Sequence, residues 1–305
     1  MGKIKGGKME VNTIEKISMK NRKRSKPIFA NINFLGKCNL DCFFCLGKDI
    51  EEEFNKYNYN SVHFSNFPRL KDFLNICKKD GIKQLYLTGQ NTDPLLYKYL
   101  SEFIDFLKEE GFYVGIRTNG LLALRYMDII NKCTTCQMDA VAYTVLTLDK
   151  KDMKLMTGVD TIPDWGKIFK LTQVPFRVSI VITKTNVRYI KNLIDYLLQY
   201  RINKHFKYIQ LRRISTDTRF EELKEHIYCF EEMATYLLEE ASYRNWKVDS
   251  FEKAEIIYYK GFPVVLWRTV STSVNSYNYF VNGVISKEYF IIEGYLKAKS
   301  MLEKW

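Results

Sequence analysis

Between residues 28 and 215, short β-branched or aromatic runs alternate with amphipathic helical patterns, and few folds accept that alternation. The strand-like runs are 28–34, 84–88, 112–117, 140–146, 176–183 and 208–214. Between them, 71–79, 95–110 and 189–200 repeat an apolar stripe at three- and four-residue intervals. That spacing puts the apolar side chains on one face of a helix. Parallel strands need a crossover long enough to hold a helix, so strand–helix alternation predicts βα units around a parallel sheet. Six units can close most of a barrel, and in such barrels the chemistry gathers at the C-terminal ends of the strands.

The last third changes character. Residues 220–245 predict one helix, and 247–292 predict strands and turns with no helix between them. The run IIYYKGFPVVLW has a Gly-Phe-Pro break, and YNYFVNGVISKEYFII carries Asn282-Gly283, the strongest short hairpin signal. Residues 296–305 predict a short closing helix. The expected fold class is therefore α/β: a partial (β/α)6 TIM-like barrel with a C-terminal antiparallel β-hairpin appendage covering one end. The expected division is a basic flexible arm (1–27), the barrel (28–219), and a helix-plus-hairpin cap over the substrate (220–305).

Charge separates the arm from the rest. Residues 1–27 hold nine Lys/Arg and two acids, more than half of the net charge of +12 on the 305 residues. Such an arm attracts nucleic acid, anionic lipid or an acidic peptide, or is a solvated tail. No apolar run approaches the ~20 residues of a membrane span, and no secretory apolar stretch follows the N-terminus. The expected location is cytoplasmic. In a reducing compartment, clustered thiols serve metals or catalysis rather than disulfides.

Seven cysteines are present, and three cluster in CNLDCFFC as Cys38, Cys42 and Cys45, just after the first predicted strand. A [4Fe–4S] cube usually takes four thiolates. Three in one loop leave an iron open to chelate a small molecule. This CxxxCxxC loop, with aromatic Phe44 before its last cysteine, resembles the cluster loop of the radical S-adenosylmethionine (SAM) superfamily. The resemblance implies two cofactors, a [4Fe–4S] cluster on Cys38, Cys42 and Cys45, and SAM on the fourth iron.

Further matches follow in chain order. The resemblance places a SAM-binding turn after the second strand, here LTGQNTDPLL, with Gly89 and Asp93 as the best equivalents. Gln90, Asn91 and Thr92 would supply carbonyls. The third strand ends in Thr118-Asn119-Gly120, with Asn119 as a contact. On the fourth, Tyr143 or Thr144 would face SAM. Period-two alternation puts Arg177, Ser179 and Val181 on one face of the fifth strand, and Gln210 and Arg212 opposite Leu211 and Arg213 on the sixth. Thr144, Ser179 and Arg212 complete the expected cofactor-facing set. The two neighbouring arginines are either an anion clamp or one cation in solvent and one paired with an acid.

The remaining thiols suggest less. Cys133-Thr-Thr-Cys136 has a ligand-pair spacing, but Cys77 and Cys229 stand alone, and no cysteine follows Ser250. His63, His205 and His226 form no metal-binding spacing. The implied chemistry is reductive SAM cleavage to a 5′-deoxyadenosyl radical, with a flavodoxin or ferredoxin-type reductant. The arm and the aromatic strands fit a ribosomally made peptide as substrate. A tRNA, a nucleotide or another small molecule is the alternative. From a different class comes a zinc-stabilised nucleic-acid-binding module on Cys38, Cys42, Cys45 and His63.

Overall fold

The computed structural model describes residues 29–302, except 57, 217, 252–253, 269–275 and 287–290. The basic arm expected at 1–27 lies outside the described residues. Each of the six runs forms a strand: β1 (Phe29–Leu35), β2 (Gln84–Gln90), β3 (Tyr113–Thr118), β4 (Val141–Thr144), β5 (Phe176–Val181) and β6 (Phe206–Arg212). They pair in parallel in chain order. Helices α1 (Glu51–Phe54) and α2 (Leu70–Lys79) precede β2, and α3 (Leu100–Glu109) precedes β3. Helix α4 (Met127–Asn131) precedes β4, α5 (Lys150–Thr157) and α6 (Trp165–Leu171) precede β5, and α7 (Ile190–Leu198) precedes β6.

Alternation along the strands separates two faces. One packs on the helices: Phe34 meets Phe67, Tyr97 and Phe103, and Tyr143 meets Trp165 and Phe169. The other face lines a cavity. Helix ends follow local chemistry. Asp149 and Asp164 cap α5 and α6 by accepting backbone N–H groups, and Gly158 in the left-handed region ends α5. The helix expected over 95–110 is split. Asp93 caps a 3-10 turn at Pro94–Leu96, and the chain then leaves helical geometry until Leu100. Lys98 N–H bonds Asn60 O instead of its own turn.

The C-terminal part corrects the expected appendage. Helix α8 (Phe220–Tyr243) is followed by β7 (Val248–Phe251), β8 (Ala254–Tyr259), β9 (Phe262–Trp267), β10 (Tyr277–Phe280), β11 (Ile285–Ser286) and α9 (Ile291–Leu302). The closing helix thus begins earlier than residue 296. Both hairpins form, β8–β9 turning at Lys260-Gly261, which both have positive φ. At β10–β11 the loop has four residues, 281–284, with Gly283 alone of them at positive φ. Neither hairpin covers an end of the sheet. Strand β9 pairs in parallel with β6, and β10 pairs in parallel with β1. The described strands make one 11-stranded open sheet in the order β11-β10-β1-β2-β3-β4-β5-β6-β9-β8-β7. The physical reason is edge protection. Strands β1 and β6 would otherwise present rows of unpaired N–H and C=O groups.

The added strands also carry core. Phe280 is fully buried against Phe54 and Tyr295, and Tyr279 stacks on Phe73. Phe280→Ala should therefore cost roughly 3–5 kcal/mol in chemical denaturation, within a single cooperative transition. A first transition that moves alone would show the C-terminal strands to be separable.

Candidate active site

The cysteine loop leaves β1 at the C-terminal end of the sheet and is tied from four sides, the last of them Asn119 after β3. The first is the end of α5. Asp41 N–H donates to Thr157 O at 2.8 Å, and Phe43 N–H to Met156 O at 3.3 Å. A helix leaves its last carbonyls without intrahelical donors, and here the loop supplies them. The second is Arg219. Its Nη1 donates to Phe43 O at 2.8 Å, its Nη2 to Cys45 O at 2.7 Å, and its Nε to Asp49 Oδ1 at 2.7 Å. The third is the turn after β2. Asn91, at φ 53°, donates to Gly47 O at 3.3 Å and lies 3.8 Å from Cys45 Sγ. A Cβ on Gly47 would come within 2.4 Å of Asn91 Oδ1, so the two loops meet only because residue 47 is glycine. Asn119 Nδ2 donates to Asn39 Oδ1 at 2.8 Å and sits 3.9 Å from Cys38 Sγ.

The turn after β2 is itself locked. A Cβ on Gly89 would lie 1.9 Å from Thr92 O. Thr92 donates to Asn60 Oδ1 at 3.1 Å, and Gln90 donates to Asn33 Oδ1 at 3.2 Å. Asp93 is buried and uses both oxygens. It accepts from Leu95 N–H at 2.9 Å, Thr118 Oγ1 at 3.0 Å and Asn119 N–H at 2.7 Å. Burial pushes its carboxyl up to about 6, with the donors pulling the other way. Asp93 thus joins the ends of β2 and β3.

A cavity of about 510 Å³ runs along the inner face of the sheet. Cys38, Cys42, Cys45, Phe44, Gly89, Gln90, Thr92, Asp93, Asn119, Thr144, Ser179 and Arg212 all border it, whereas Asn91 points into the cysteine loop. Strand register arranges the wall in layers. Nearest the cysteine end, Val181 pairs with Arg212 and Arg212 with Trp267. Below lie Thr144, Ser179, Gln210 and Val265, with Ser179 Oγ donating to Gln210 Oε1 at 3.2 Å. Deepest are Arg117, Ala142, Arg177 and Tyr208. Of Tyr143 and Thr144, Thr144 borders the cavity, while Tyr143 faces the helices and bonds Thr172 Oγ1 at 2.9 Å. Of the paired arginines, Arg213 lies 3.5 Å from Glu231 of α8.

The other thiols are elsewhere. Cys77 and Cys133 belong to the helix-side core, and Cys136 sits 3.8 Å from Gln84 at the opposite end of β2. His63 bonds Ser65 at 2.8 Å and packs on Phe64 and Tyr99. It does not border the cavity. Among the described residues, no three His, Cys, Asp or Glu side chains are grouped as a single metal ion requires. Burial pushes the three loop thiols up, Cys38 to about 12, while Arg219 and Lys48 pull Cys45 down.

No sequence signal marks Arg219, which precedes α8 by one residue and acts across 174 positions. Arg219→Ala should free the loop carbonyls, so that limited proteolysis of the metal-free protein within residues 38–49 accelerates several-fold. Arg219→Lys should rescue little, because an ammonium cannot span both carbonyls. Asp93→Ala, which strands three buried donors, should cost about 3 kcal/mol in chemical denaturation.

No family model matches the chain. Among curated relatives, a probable GTP 3′,8-cyclase of Sulfurisphaera tokodaii is 28% identical over 53% of this chain and 49% of its own length. One from Methanococcus maripaludis is 27% identical over 52% of each. The chain spans about half the length of the curated relatives it matches. Among solved structures, Streptococcus suis SuiB bound to its precursor peptide SuiA aligns with TM-score 0.54 and 17% identity, covering 88% of this chain and 61% of SuiB. The enzyme anSMEcpe with bound AdoMet aligns with TM-score 0.53 and 13% identity, covering 87% of this chain and 75% of its own. The cysteine loop, the parallel sheet it caps and these relatives agree in supporting the radical SAM superfamily for this chain.

Proposed function

We propose that this chain reductively cleaves SAM and abstracts a hydrogen atom from a substrate held in the cavity, its six parallel strands forming a partial TIM-like barrel. The observation that carries the reading is the convergence of Cys38, Cys42 and Cys45 on one end of that cavity. The donor set fits the superfamily's cofactors. Three thiols in one loop border open space, the other described cysteines lie away from them, and among the described residues no fourth ligand closes the site. The zinc reading loses its fourth ligand, since His63 is engaged elsewhere. When bound, a [4Fe–4S] cluster and SAM supply one-electron cleavage of the sulfonium to methionine and a 5′-deoxyadenosyl radical. The electron comes from a flavodoxin or ferredoxin-type donor.

The protein's own residues do the rest. Cys38, Cys42 and Cys45 hold the cluster, and Arg219 and the end of α5 fix the loop that carries them. Phe44 packs beside the site with Leu40 and Met153, excluding water. Gly89, Gln90, Thr92 and Asn119 offer backbone and amide groups at the cysteine end. Thr144, Ser179 and Arg212 offer polar side chains further along the wall.

For the substrate, a nucleotide or similar small anion is favoured. Four arginines, Arg117, Arg177, Arg212 and Arg213, border the cavity, and relatives named for GTP cyclisation match half of the chain. A peptide substrate is the second reading. It rests on the likeness to peptide-bound SuiB and on the edge strand β7, which could accept an extended chain.

Reconstituted protein should carry about four irons per chain. Cys38→Ala, Cys42→Ala and Cys45→Ala should each lose most of that iron and its colour. The double change Cys133→Ala, Cys136→Ala should leave the count unchanged. Full iron in a loop variant would contradict the assignment.

A further inference from the structure

The end of the cavity away from the cysteines holds charge that the SAM chemistry does not use. Arg117 on β3 and Arg177 on β5 converge there on one carboxylate, that of Asp139 in the segment before β4. Arg117 Nη1 lies 2.5 Å from Asp139 Oδ2, and Arg177 Nη1 lies 3.8 Å from Oδ1. The Tyr208 hydroxyl accepts from Arg177 at 2.9 Å and donates to Asp139 Oδ1 at 2.9 Å. Tyr86 presents its ring to the Arg117 guanidinium at 3.8 Å and donates its hydroxyl to Asp139 O at 3.3 Å. Both Asp139 oxygens are thus engaged. The cations keep donors to spare, and Arg177 Nε is buried with no hydrogen-bond partner among the described atoms.

Two guanidiniums against one carboxylate leave a net charge of +1 among side chains that are mostly buried. Burial alone would raise the Asp139 carboxyl, but the two guanidiniums outweigh it and hold the group below the usual range. It is ionised at neutral pH and cancels one cation only. An uncompensated buried charge is costly, and a matched pair or apolar side chains would stabilise this end of the sheet better. The excess has a use if an anion comes to it.

We propose that Arg117 and Arg177 form a subsite for an oxyanion carried by the substrate, a carboxylate or a phosphate. This rests on the reading of the cavity as the substrate chamber. Guanidinium groups bind the oxygens of either anion through parallel N–H donors. The spacing also sets a length. Arg177 and Val181 are four residues apart on β5, about 13 Å at the usual strand rise. A molecule anchored by its anion at Arg177 therefore reaches toward the cysteine end only if it is extended by about that length. Neutral molecules of the same shape lose the anchor.

The test is an anion titration of the reconstituted full chain, prepared without phosphate or sulfate, using inorganic phosphate in one arm and acetate in the other. Saturable binding by calorimetry, with a matching rise in the thermal midpoint, is expected for the unaltered protein. In Arg177→Gln the affinity should fall about tenfold or more, while the anion-free midpoint stays the same or rises, because a buried excess charge has gone. Arg177→Lys should keep a weakened response. A response to phosphate alone assigns a phosphate-bearing substrate, and one to acetate alone assigns a carboxylate. An anion response that survives Arg177→Gln, or an anion-free midpoint that this change lowers, makes the cluster a purely structural network and overturns the proposal. Neither SAM nor reductant enters the titration, so its failure leaves the radical chemistry standing, and failure to cleave SAM leaves this subsite standing.

Discussion

The guanidinium of Arg219 is the interaction on which the site depends. The loop from Cys38 to Cys45 holds itself by one backbone turn, Cys45 N–H to Cys42 O at 3.0 Å, yet it must present three thiols to one point. Arg219 grips the carbonyls of Phe43 and Cys45 and is itself held by Asp49. On the other side, the free carbonyls at the end of α5 take the loop's N–H groups. A planar fork with donors in fixed directions can bridge two carbonyls and a carboxylate at once. The loop is therefore positioned by groups more than a hundred residues away in the chain.

The cavity follows from the pleat. Successive strand residues point to opposite faces, so a strand can be apolar toward the helices and polar toward the cavity. On β5, Val178 and Ile180 are fully buried, while Arg177, Ser179 and Val181 border the cavity. On β6, Ile209 and Leu211 alternate with Tyr208, Gln210 and Arg212 in the same way. The C-terminal strands complete the wall because they continue the sheet beside β6, bringing Val265 and Trp267 into register with Gln210 and Arg212.

Much of this was legible in the sequence. Six strand runs and the cysteine spacing are local signals, and period-two alternation placed Ser179 and Arg212 on the cavity face. What could not be read is non-local. Two hairpins were visible, but nothing local says that β9 and β10 pair with β6 and β1. Arg219, Arg117 and Asp139 gain their roles from partners distant in the chain. In the turn after β2, Asp93 was expected as a best equivalent of the SAM-binding turn and Asn91 as a source of a carbonyl. The folded geometry adds scaffold roles that no local signal shows: Asn91 supports the cysteine loop, while Asp93 ties β2 to β3.

The account stands on the cysteine loop acting as the seat of a cluster that reacts with SAM. The most direct measurement is electron paramagnetic resonance of the anaerobically reconstituted, reduced chain before and after SAM is added, with 5′-deoxyadenosine quantified in the same samples. The account predicts a reduced-cluster signal that changes on SAM addition, and 5′-deoxyadenosine formed together with methionine. A signal indifferent to SAM, with no 5′-deoxyadenosine, would contradict it.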